Sequence, residues 1–382
     1  MEQRVRSGLD RMETVGGILG SGRLGLMTNQ TGMDREFRPT VDLLRERYTL
    51  TALFAVEHGI RGSIQAGEDV KPFTDSRSGL TVWPVYGGTH RLTPEMLDQF
   101  DVFCFDMQDV GARFYTYLYA LSFAMEECAK AGKPVVVFDR INPLGGEKIQ
   151  GTVLEEDFAS YVGMYPLPTR YGLTIGEYAG WVKDHLKLDN LELHVAELEG
   201  WRRGMRPEET GLPWAAPSPN CPTFHSAAAY IGTCVFEGTN VSEGRGTTLP
   251  FEYIGAPWID ADALSDSLRG KNLPGIRFRP VWFTPTFSKY SGENCAGVQM
   301  HITDADAVDP VLGALCLLDR IREMYPKELE WRPSGAERFT IDLLLGTDRY
   351  RRGQADANAF LASFRGARET FRKARAPYLL YE

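Results

Sequence analysis

The sequence lacks any run of apolar residues that approaches the roughly 18 needed for a membrane-spanning helix. Its six cysteines are scattered and form no CxxC pair, which favours buried, reduced thiols over a disulfide framework or a zinc site. Residues 1–10 contain no apolar core of the kind found in signal peptides. We therefore expect a cytoplasmic protein without a membrane partner, although a secreted form trimmed of its export signal would have the same composition.

Basic residues are in the minority. The chain has 42 Lys and Arg against 51 Asp and Glu, a formal net charge of -9. A surface of this sign argues against binding to nucleic acid or to anionic membranes, both of which attract basic proteins. An anionic substrate would need a local basic pocket that opposes the overall charge.

Several motifs of common enzyme classes are missing. No Gly-x-Ser-x-Gly elbow occurs, so an α/β-hydrolase would have no nucleophile. The glycine-rich residues 16–22 precede a predicted strand and lack a following Lys-Ser or Lys-Thr, which excludes a Walker loop and a dinucleotide fingerprint. No HExxH or comparable spacing supports a metal site. We expect neither a metal nor a cofactor.

Four segments in the first 150 residues share one design, an apolar run followed by a polar cluster. The runs cover residues 23–27, 50–56, 102–105 and 134–138, and helical patterns lie between them at 38–48, 93–99 and 115–131. Strands that alternate with helices predict an α/β fold with a parallel sheet covered on both faces. Since 382 residues exceed one usual core, we expect two domains, residues 1–215 and 216–382.

The polar clusters predict a ligand pocket, because the carboxyl ends of parallel strands meet at one edge of the sheet. Glu57 follows the second apolar run directly and is the first candidate for chemistry. Asp106, Asp109 and Asp139 follow the next two runs. One polar strand end could be a solvated loop, but four that converge indicate a binding site.

The second half of the chain predicts a smaller α/β domain. Residues 230–236 form a predicted strand that ends in the glycine-rich loop 237–247. Further predicted elements are an extended segment at 278–287, a strand at 297–302 and a helix that begins at Asp309-Pro310. A final amphipathic helix carries Phe360, Phe364 and Phe371, which we expect to pack in the core. Thr174 and Glu177 form a predicted capping box, a structural role that we prefer to catalysis for Glu177.

Carboxylates, amides and aromatic rings dominate the candidate residues. Hydroxyl groups of sugars need donors and acceptors, while the C–H face of a sugar ring stacks on aromatic rings, so this inventory favours a sugar site. Glycoside hydrolysis uses two carboxyl groups, of which one is kept protonated as the acid. Partial burial after an apolar strand would favour the protonated form of Glu57, which suits that role.

Six motifs, in order along nearly the whole chain, resemble those of the YbbC/NamZ family. They are TNQTG at 28–32, EHGIRG at 57–62, DMQDVGARFYTY at 106–117, DRINPLGG at 139–146, PSPN at 217–220 and EGTNVSEGRGT at 237–247. Members of that family are exo-β-N-acetylmuramidases, glycoside hydrolases that remove N-acetylmuramic acid from the non-reducing end of peptidoglycan fragments. The resemblance implies a Rossmann-like amino-terminal domain, a smaller α/β carboxy-terminal domain and an active site in the cleft between them.

The resemblance also implies site residues. Glu57 is the expected general acid/base, and Asp106 or Asp109 would orient water or the 2-acetamido group. Substrate assistance by that group, and the stereochemical outcome, stay open. The lactyl carboxylate of muramic acid needs a cation, for which Arg113, Arg140 and Arg245 are candidates. The full set of predicted substrate-binding residues is Asn29, Gln30, His58, Arg61, Gln108, Arg113, Tyr115, Tyr117, Arg140, Asn142, Asn220, Glu237, Asn240, Glu243 and Arg245.

Two other functions remain open at this point. A non-catalytic protein that binds muropeptides or amino sugars would use the same cleft, although binding neutral hydroxyls does not require so many acids. A hydrolase of a related 2-acetamido sugar would use the same chemistry. If the chain is an exo-N-acetylmuramidase, its expected partner is a muropeptide or a MurNAc-GlcNAc fragment. The sequence does not indicate an oligomeric state.

Overall fold

The computed structural model describes residues 5–57, 59–62, 71–87, 89–335 and 337–382. Its strands are β1 Leu24–Thr28, β2 Leu50–Ala55, β3 Phe73–Thr74, β4 Thr81–Pro84, β5 Val102–Asp106, β6 Val135–Phe138, β7 Gln150–Val153, β8 Pro168–Arg170, β9 Leu193–Ala196, β10 Tyr253–Ala256, β11 Ile276–Phe283 and β12 Cys295–Ile302. Its α-helices are α1 Gly16–Leu19, α2 Thr40–Arg47, α3 Pro94–Leu97, α4 Tyr117–Ala131, α5 Ile175–His185, α6 Pro207–Thr210, α7 Phe224–Thr233, α8 Ala261–Leu268, α9 Pro310–Met324, α10 Thr340–Leu345, α11 Ala357–Ala362 and α12 Arg365–Arg375. Short 3-10 helices cover Leu9–Val15, Glu156–Phe158, Cys234–Gly238 and Ala376–Tyr378. Across these described ranges, no helix is both long and apolar enough to cross a membrane.

A mostly parallel sheet organises the first half of the chain. Its strand order is β3-β4-β2-β1-β5-β6-β9, and only the pair of β3 and β4 is antiparallel. Every residue of β1 and β5 is buried, as expected for strands covered on both faces. The predicted α/β fold with a parallel sheet is confirmed.

The four predicted strand ends do meet at one edge of this sheet. β2, β1, β5 and β6 are consecutive neighbours and run in the same direction. Thr28 at the end of β1 lies opposite Asp106 at the end of β5. The segments that follow these strands therefore start side by side, which is the placement that the alternating pattern predicted.

The second half forms a smaller unit around a three-stranded antiparallel sheet in the order β10-β12-β11. Helix α8 packs on β11 and β12, and α7 packs on α9. Strands β7 and β8 form a separate antiparallel pair. The prediction of a second, smaller α/β domain is confirmed, while the boundary between residues 215 and 216 stays a prediction.

Buried arginines join the two halves of the chain. Arg113 has no exposed surface, and its Nη2 donates to the carbonyl of Leu344 at 2.8 Å. Arg375, on α12, donates to the carbonyl of Tyr171 at 2.9 Å. Burial lowers the pKa of both guanidinium groups to about 10. One hydrophobic cluster also runs through both halves, from Met27 to Phe371, so the domains share a continuous core.

The prediction of a strand at residues 230–236 was wrong. Residues up to Thr233 belong to helix α7, and a 3-10 helix covers Cys234–Gly238. The side chains from Ser226 to Thr233 are all buried, so the segment has no polar face. A short apolar run without periodicity does not distinguish a buried helix from a buried strand, which explains the error.

The single final helix was also a wrong prediction, because the chain breaks between α11 and α12. Phe364 leaves helical geometry at φ -91° and ψ 4°. Phe360, Phe364 and Phe371 are nevertheless all buried, so their predicted packing in the core is confirmed. The capping box is confirmed as well, since Thr174 accepts from the backbone N–H of Glu177 at 3.2 Å and Glu177 accepts from that of Thr174 at 3.0 Å.

Candidate active site

A narrow pocket brings Glu57 together with residues from distant parts of the chain. Its lining residues are Glu57, Phe114, Tyr115, Thr116, Tyr117, Ser218, Cys221, Tyr230, Arg245 and Phe251. The pocket holds about 60 Å³, which is room for a substituent of a sugar rather than a whole ring. A larger cavity of about 630 Å³ lies elsewhere, between residues 143–148 and 302–308, and contains none of the predicted site residues.

Glu57 is held in place by two hydroxyl groups. It follows β2 in a turn at the carboxyl edge of the sheet and is half-buried. Tyr86 donates to its Oε1 at 3.0 Å, and Thr116, the residue before α4, donates to its Oε2 at 3.3 Å. Both carboxyl oxygens therefore have a fixed orientation toward the pocket wall. Sequence reasoning missed both residues, because Tyr86 lies outside the six motifs and Thr116, although within the motif at 106–117, was not singled out.

The imidazole of His90 lies next to Tyr86, the residue that donates to Glu57. The ring of His90 packs edge-on against Tyr86 at 5.7 Å and stacks on Tyr161 at 4.0 Å. Burial lowers the pKa of His90, and the negative charge of Glu57 opposes that shift. The aromatic packing fixes the ring of Tyr86 and so supports the orientation of Glu57.

Aromatic rings form the floor of the pocket. Tyr115 packs edge-on against Tyr117 at 4.6 Å, and Tyr230 packs edge-on against Phe251 at 4.7 Å. Tyr117 donates to the carbonyl of Pro217 at 2.6 Å, which ties the proline-rich loop to the end of the sheet. The buried hydroxyl of Tyr115 makes no hydrogen bond of normal geometry within the described part of the chain. Burial also raises the pKa of this hydroxyl, which keeps it protonated.

Arg245, which lines the pocket, belongs to a cluster of four charged side chains, and the other three lie outside the lining. Nη2 of Arg245 lies 2.6 Å from Glu237 and its Nε lies 3.3 Å from Glu243, while its guanidinium stacks on Phe251 at 5.0 Å. Lys289 lies 2.9 Å from Glu243. Burial raises the pKa of Glu237, and the nearby guanidinium opposes this effect. Sequence reasoning found three members of this cluster and missed Lys289, which follows a predicted extended segment without any polar motif.

Asp106 and Arg140 pair with each other rather than lining this pocket. Nε of Arg140 lies 2.5 Å from Oδ1 of Asp106, and Thr40 donates to Oδ2 of the same carboxylate. Asp106 has no exposed surface and Arg140 is largely buried. The charge of each is therefore balanced by the other within the sheet edge.

Asp109 is also buried and lies three residues after Asp106 in the same loop. Its Oδ2 accepts from the backbone N–H of Gly111 at 2.6 Å and from the hydroxyl of Tyr171. Burial raises the pKa of Asp109 to about 6, although both donors favour the ionised form. Gly111 adopts φ +79°, and a Cβ there would lie 2.6 Å from Asn142. Only glycine fits this turn, which accounts for its place in the motif.

The remaining predicted residues lie outside the pocket lining, and most have structural partners. Arg113 donates to buried backbone carbonyls. The others and their partners are Asn29 with Tyr117, Gln30 with the carbonyl of Ala216, Arg61 with Asp75, Gln108 with the carbonyl of Ile141, Asn142 with the carbonyl of Leu173, and Asn240 with the carbonyl of Glu328. The buried Nδ2 of Asn220 has no hydrogen-bond partner in the described ranges. His58 lies outside the described residues.

The chemical capacity of the pocket follows from its own side chains. It combines the carboxyl group of Glu57, tyrosine and threonine hydroxyls, the guanidinium of Arg245 and several aromatic faces. Such a set can bind a sugar and transfer a proton to or from it. No group of three or more His, Cys, Asp or Glu side chains within the described ranges is arranged to hold a metal ion.

Comparisons with known proteins identify the family of this chain. Family models for the amino-terminal and carboxy-terminal domains of the exo-β-N-acetylmuramidase NamZ match residues 24–225 and 228–381. The peptidoglycan β-N-acetylmuramidase NamZ of Bacillus subtilis (strain 168) is 42% identical over 364 residues, which cover 94% of this chain and 87% of the relative.

Solved structures of two DUF1343 family proteins from Bacteroides fragilis NCTC 9343 share the fold. The first is 33% identical with a TM-score of 0.89, and the match covers 100% of both chains. The second is 28% identical with a TM-score of 0.76 and covers 99% of both chains. The family that the motifs predicted is thus confirmed, and the chain belongs to the NamZ family of exo-β-N-acetylmuramidases.

Proposed function

We propose that this chain is an exo-acting glycoside hydrolase that releases N-acetylmuramic acid from the non-reducing end of peptidoglycan fragments. The observation that carries the proposal is the placement of Glu57 and Arg245 in the lining of one narrow pocket. A proton donor and a fixed positive charge at one small site are what an acidic amino sugar requires. The family to which the chain belongs supports the same substrate.

Glu57 acts in this proposal as the general acid/base. Its carboxyl group is oriented by Tyr86 and Thr116, and pocket-lining aromatic rings lie beside it. Within the described ranges, Glu57 is the only carboxylate of the lining. This favours a mechanism in which the 2-acetamido carbonyl of the substrate attacks the anomeric carbon, because that route needs no second carboxylate as nucleophile.

In this proposal Asp106 and Asp109 lie outside the pocket lining and have structural roles. The ion pair of Asp106 with Arg140 fixes the end of β5, and Asp109 fixes the turn at Gly111 that precedes the pocket residues 114–117. Both carboxyls are buried, and neither belongs to the lining of the pocket. Their contribution would therefore be to the position of the pocket wall.

Arg245 is the proposed binding partner of the lactyl carboxylate. Of the three arginines predicted for this role, it alone belongs to the pocket lining within the described ranges. Arg140 is paired with Asp106, and Arg113 is bonded to backbone carbonyls. Nη1 of Arg245 makes no hydrogen bond to a described residue, so a donor remains for a ligand.

The test uses two chromogenic substrates, a β-N-acetylmuraminide and the matching β-N-acetylglucosaminide. We expect release of the chromophore from the muraminide and little from the glucosaminide. Release from the glucosaminide alone would assign the chain to a related 2-acetamido sugar. Binding of N-acetylmuramic acid without release from either substrate would identify a non-catalytic binding protein and overturn the proposal.

A further inference from the structure

Lys289 is the best-coordinated cation near the pocket and has no role in the function proposed so far. Its Nζ donates to the carbonyl of Phe236 at 2.8 Å, to the carbonyl of Val241 at 2.9 Å and to Glu243 at 2.9 Å. All three donors of the ammonium group are thus in use. Lys289 therefore has one fixed position, directly behind the carboxylate that contacts Arg245.

The backbone around Lys289 is held in an unfavourable conformation. Ser288 and Tyr290, the residues on either side, have φ values of 70° and 56°. Phe251, which stacks on Arg245, has φ 66°. Left-handed backbone is costly for residues other than glycine and concentrates at functional sites. The chain thus accepts strain at two places to bring Lys289 and Phe251 to this cluster.

The charges of the cluster balance only when Lys289 is counted. Glu237 and Glu243 carry two negative charges, and Arg245 supplies one positive charge. Without Lys289 the group would be net negative beside the pocket and would repel a carboxylate. With Lys289 paired to Glu243, the four side chains together are neutral. Glu237 and Glu243 then neutralise the guanidinium of Arg245 less completely.

We propose that Lys289 is a positioning residue that determines specificity, because its pairing with Glu243 lets Arg245 accept an anionic substituent of the sugar. The inference rests on the proposed function, in which that substituent is the lactyl carboxylate of N-acetylmuramic acid. Lys289 acts through Glu243 and Arg245 and does not touch the ligand. Its effect is therefore limited to ligands that carry the negative charge.

The experiment compares Lys289→Met with wild type in full-length protein. Calorimetry measures the Kd of N-acetylmuramic acid and of its lactyl methylamide, in which a neutral amide replaces the charged carboxylate. We expect the variant to weaken binding of the acid roughly 10-fold, because the cluster gains one net negative charge beside the bound carboxylate. We expect the Kd of the methylamide to stay unchanged. Lys373→Met removes an exposed charge on α12 and serves as the control for overall charge.

The outcomes separate this inference from the function on which it rests. If Lys289→Met weakens both ligands equally, Lys289 only holds the loop of residues 236–243, and the inference fails. The same conclusion follows if neither Kd changes, or if Lys373→Met has an equal effect. Wild-type protein that neither turns over a muraminide nor binds N-acetylmuramic acid would overturn the proposed function itself.

Discussion

The hydroxyl of Tyr381 lies 2.5 Å from Oδ2 of Asp139, a residue 242 positions earlier in the sequence. Asp139 directly follows β6 and has no exposed surface. Its other donors are the hydroxyl of Thr174 and the backbone N–H of Gly176, both at 2.8 Å, and the backbone N–H of Arg140 at 2.9 Å. Asp139, which the sequence placed among the candidate pocket residues, therefore anchors the segment that contains Tyr381 to the central sheet.

Tyr381→Phe should lower the free energy of unfolding by about 1–3 kcal/mol, because a buried carboxyl loses one of its donors. Urea denaturation followed by fluorescence measures the change. Tyr378→Phe is the matched control, since its hydroxyl bonds Asp184 at the surface, and it should change stability by less than about 0.5 kcal/mol. Equal effects of the two variants would contradict a special role for the Asp139 contact.

Asp139 should also make stability depend on pH. Burial raises its pKa from 3.8 to about 7 in the folded state, against the effect of its hydrogen bonds. The folded protein then binds the proton more tightly than the unfolded chain, so this contribution to stability is complete below pH 4 and is lost as the pH rises to about 7. We expect the difference in unfolding free energy between wild type and Asp139→Asn to shrink across that range. A difference that is constant from pH 4 to pH 7 would show that Asp139 is ionised throughout.

Glu57→Gln should reduce kcat on a chromogenic muraminide roughly 100- to 10,000-fold, because the amide cannot transfer the proton. The Kd of N-acetylmuramic acid should change little, since the shape of the side chain is preserved. Thermal denaturation of the variant checks that the fold is intact. An unchanged kcat would remove Glu57 from the mechanism.

Tyr86→Phe tests how Glu57 is oriented. The variant removes the donor at 3.0 Å from Oε1 and keeps the ring that packs on His90. We expect kcat to fall roughly 5-fold with a smaller change in KM, because a single hydrogen bond of this kind contributes about 1 kcal/mol to the transition state. Tyr378→Phe again provides the control, and a change in KM alone would mean that Tyr86 binds substrate instead.

Arg113→Met should lower the free energy of unfolding by roughly 3 kcal/mol or more, since several buried carbonyls lose a charged donor together. Arg202→Met at an exposed position is the control for the loss of one arginine. Denaturant titration measures both variants. A loss below about 1 kcal/mol would show that water replaces the guanidinium.

The sequence was informative where an apolar run is long and its ends are polar. The strands at residues 24–28, 50–55, 102–106 and 135–138 were all predicted, because each is buried on both faces and bounded by a sharp change in polarity. The end of helix α7 and the start of the 3-10 helix that follows were mistaken for a strand, because burial on all sides removes the period of 3.6.

The site was harder to predict than the fold. Motif position shows which side chains follow a strand, but not where their charges are balanced. Arg113 lies in a motif whose next residue, Phe114, lines the pocket, yet the Arg113 guanidinium donates to the carbonyl of Leu344, 231 residues away. Lys289 joins Glu243 across 46 residues without any local signal. Such pairings depend on tertiary packing, which a single sequence does not encode in its periodicity.

The arginines that join the two halves have a consequence for how the protein can be divided. Each guanidinium donates at least one hydrogen bond to a carbonyl of the other half, so separate expression of either half would leave these donors and carbonyls without those partners. Neither half is then an autonomous module, and exchange of one half between relatives should require exchange of its contact residues as well.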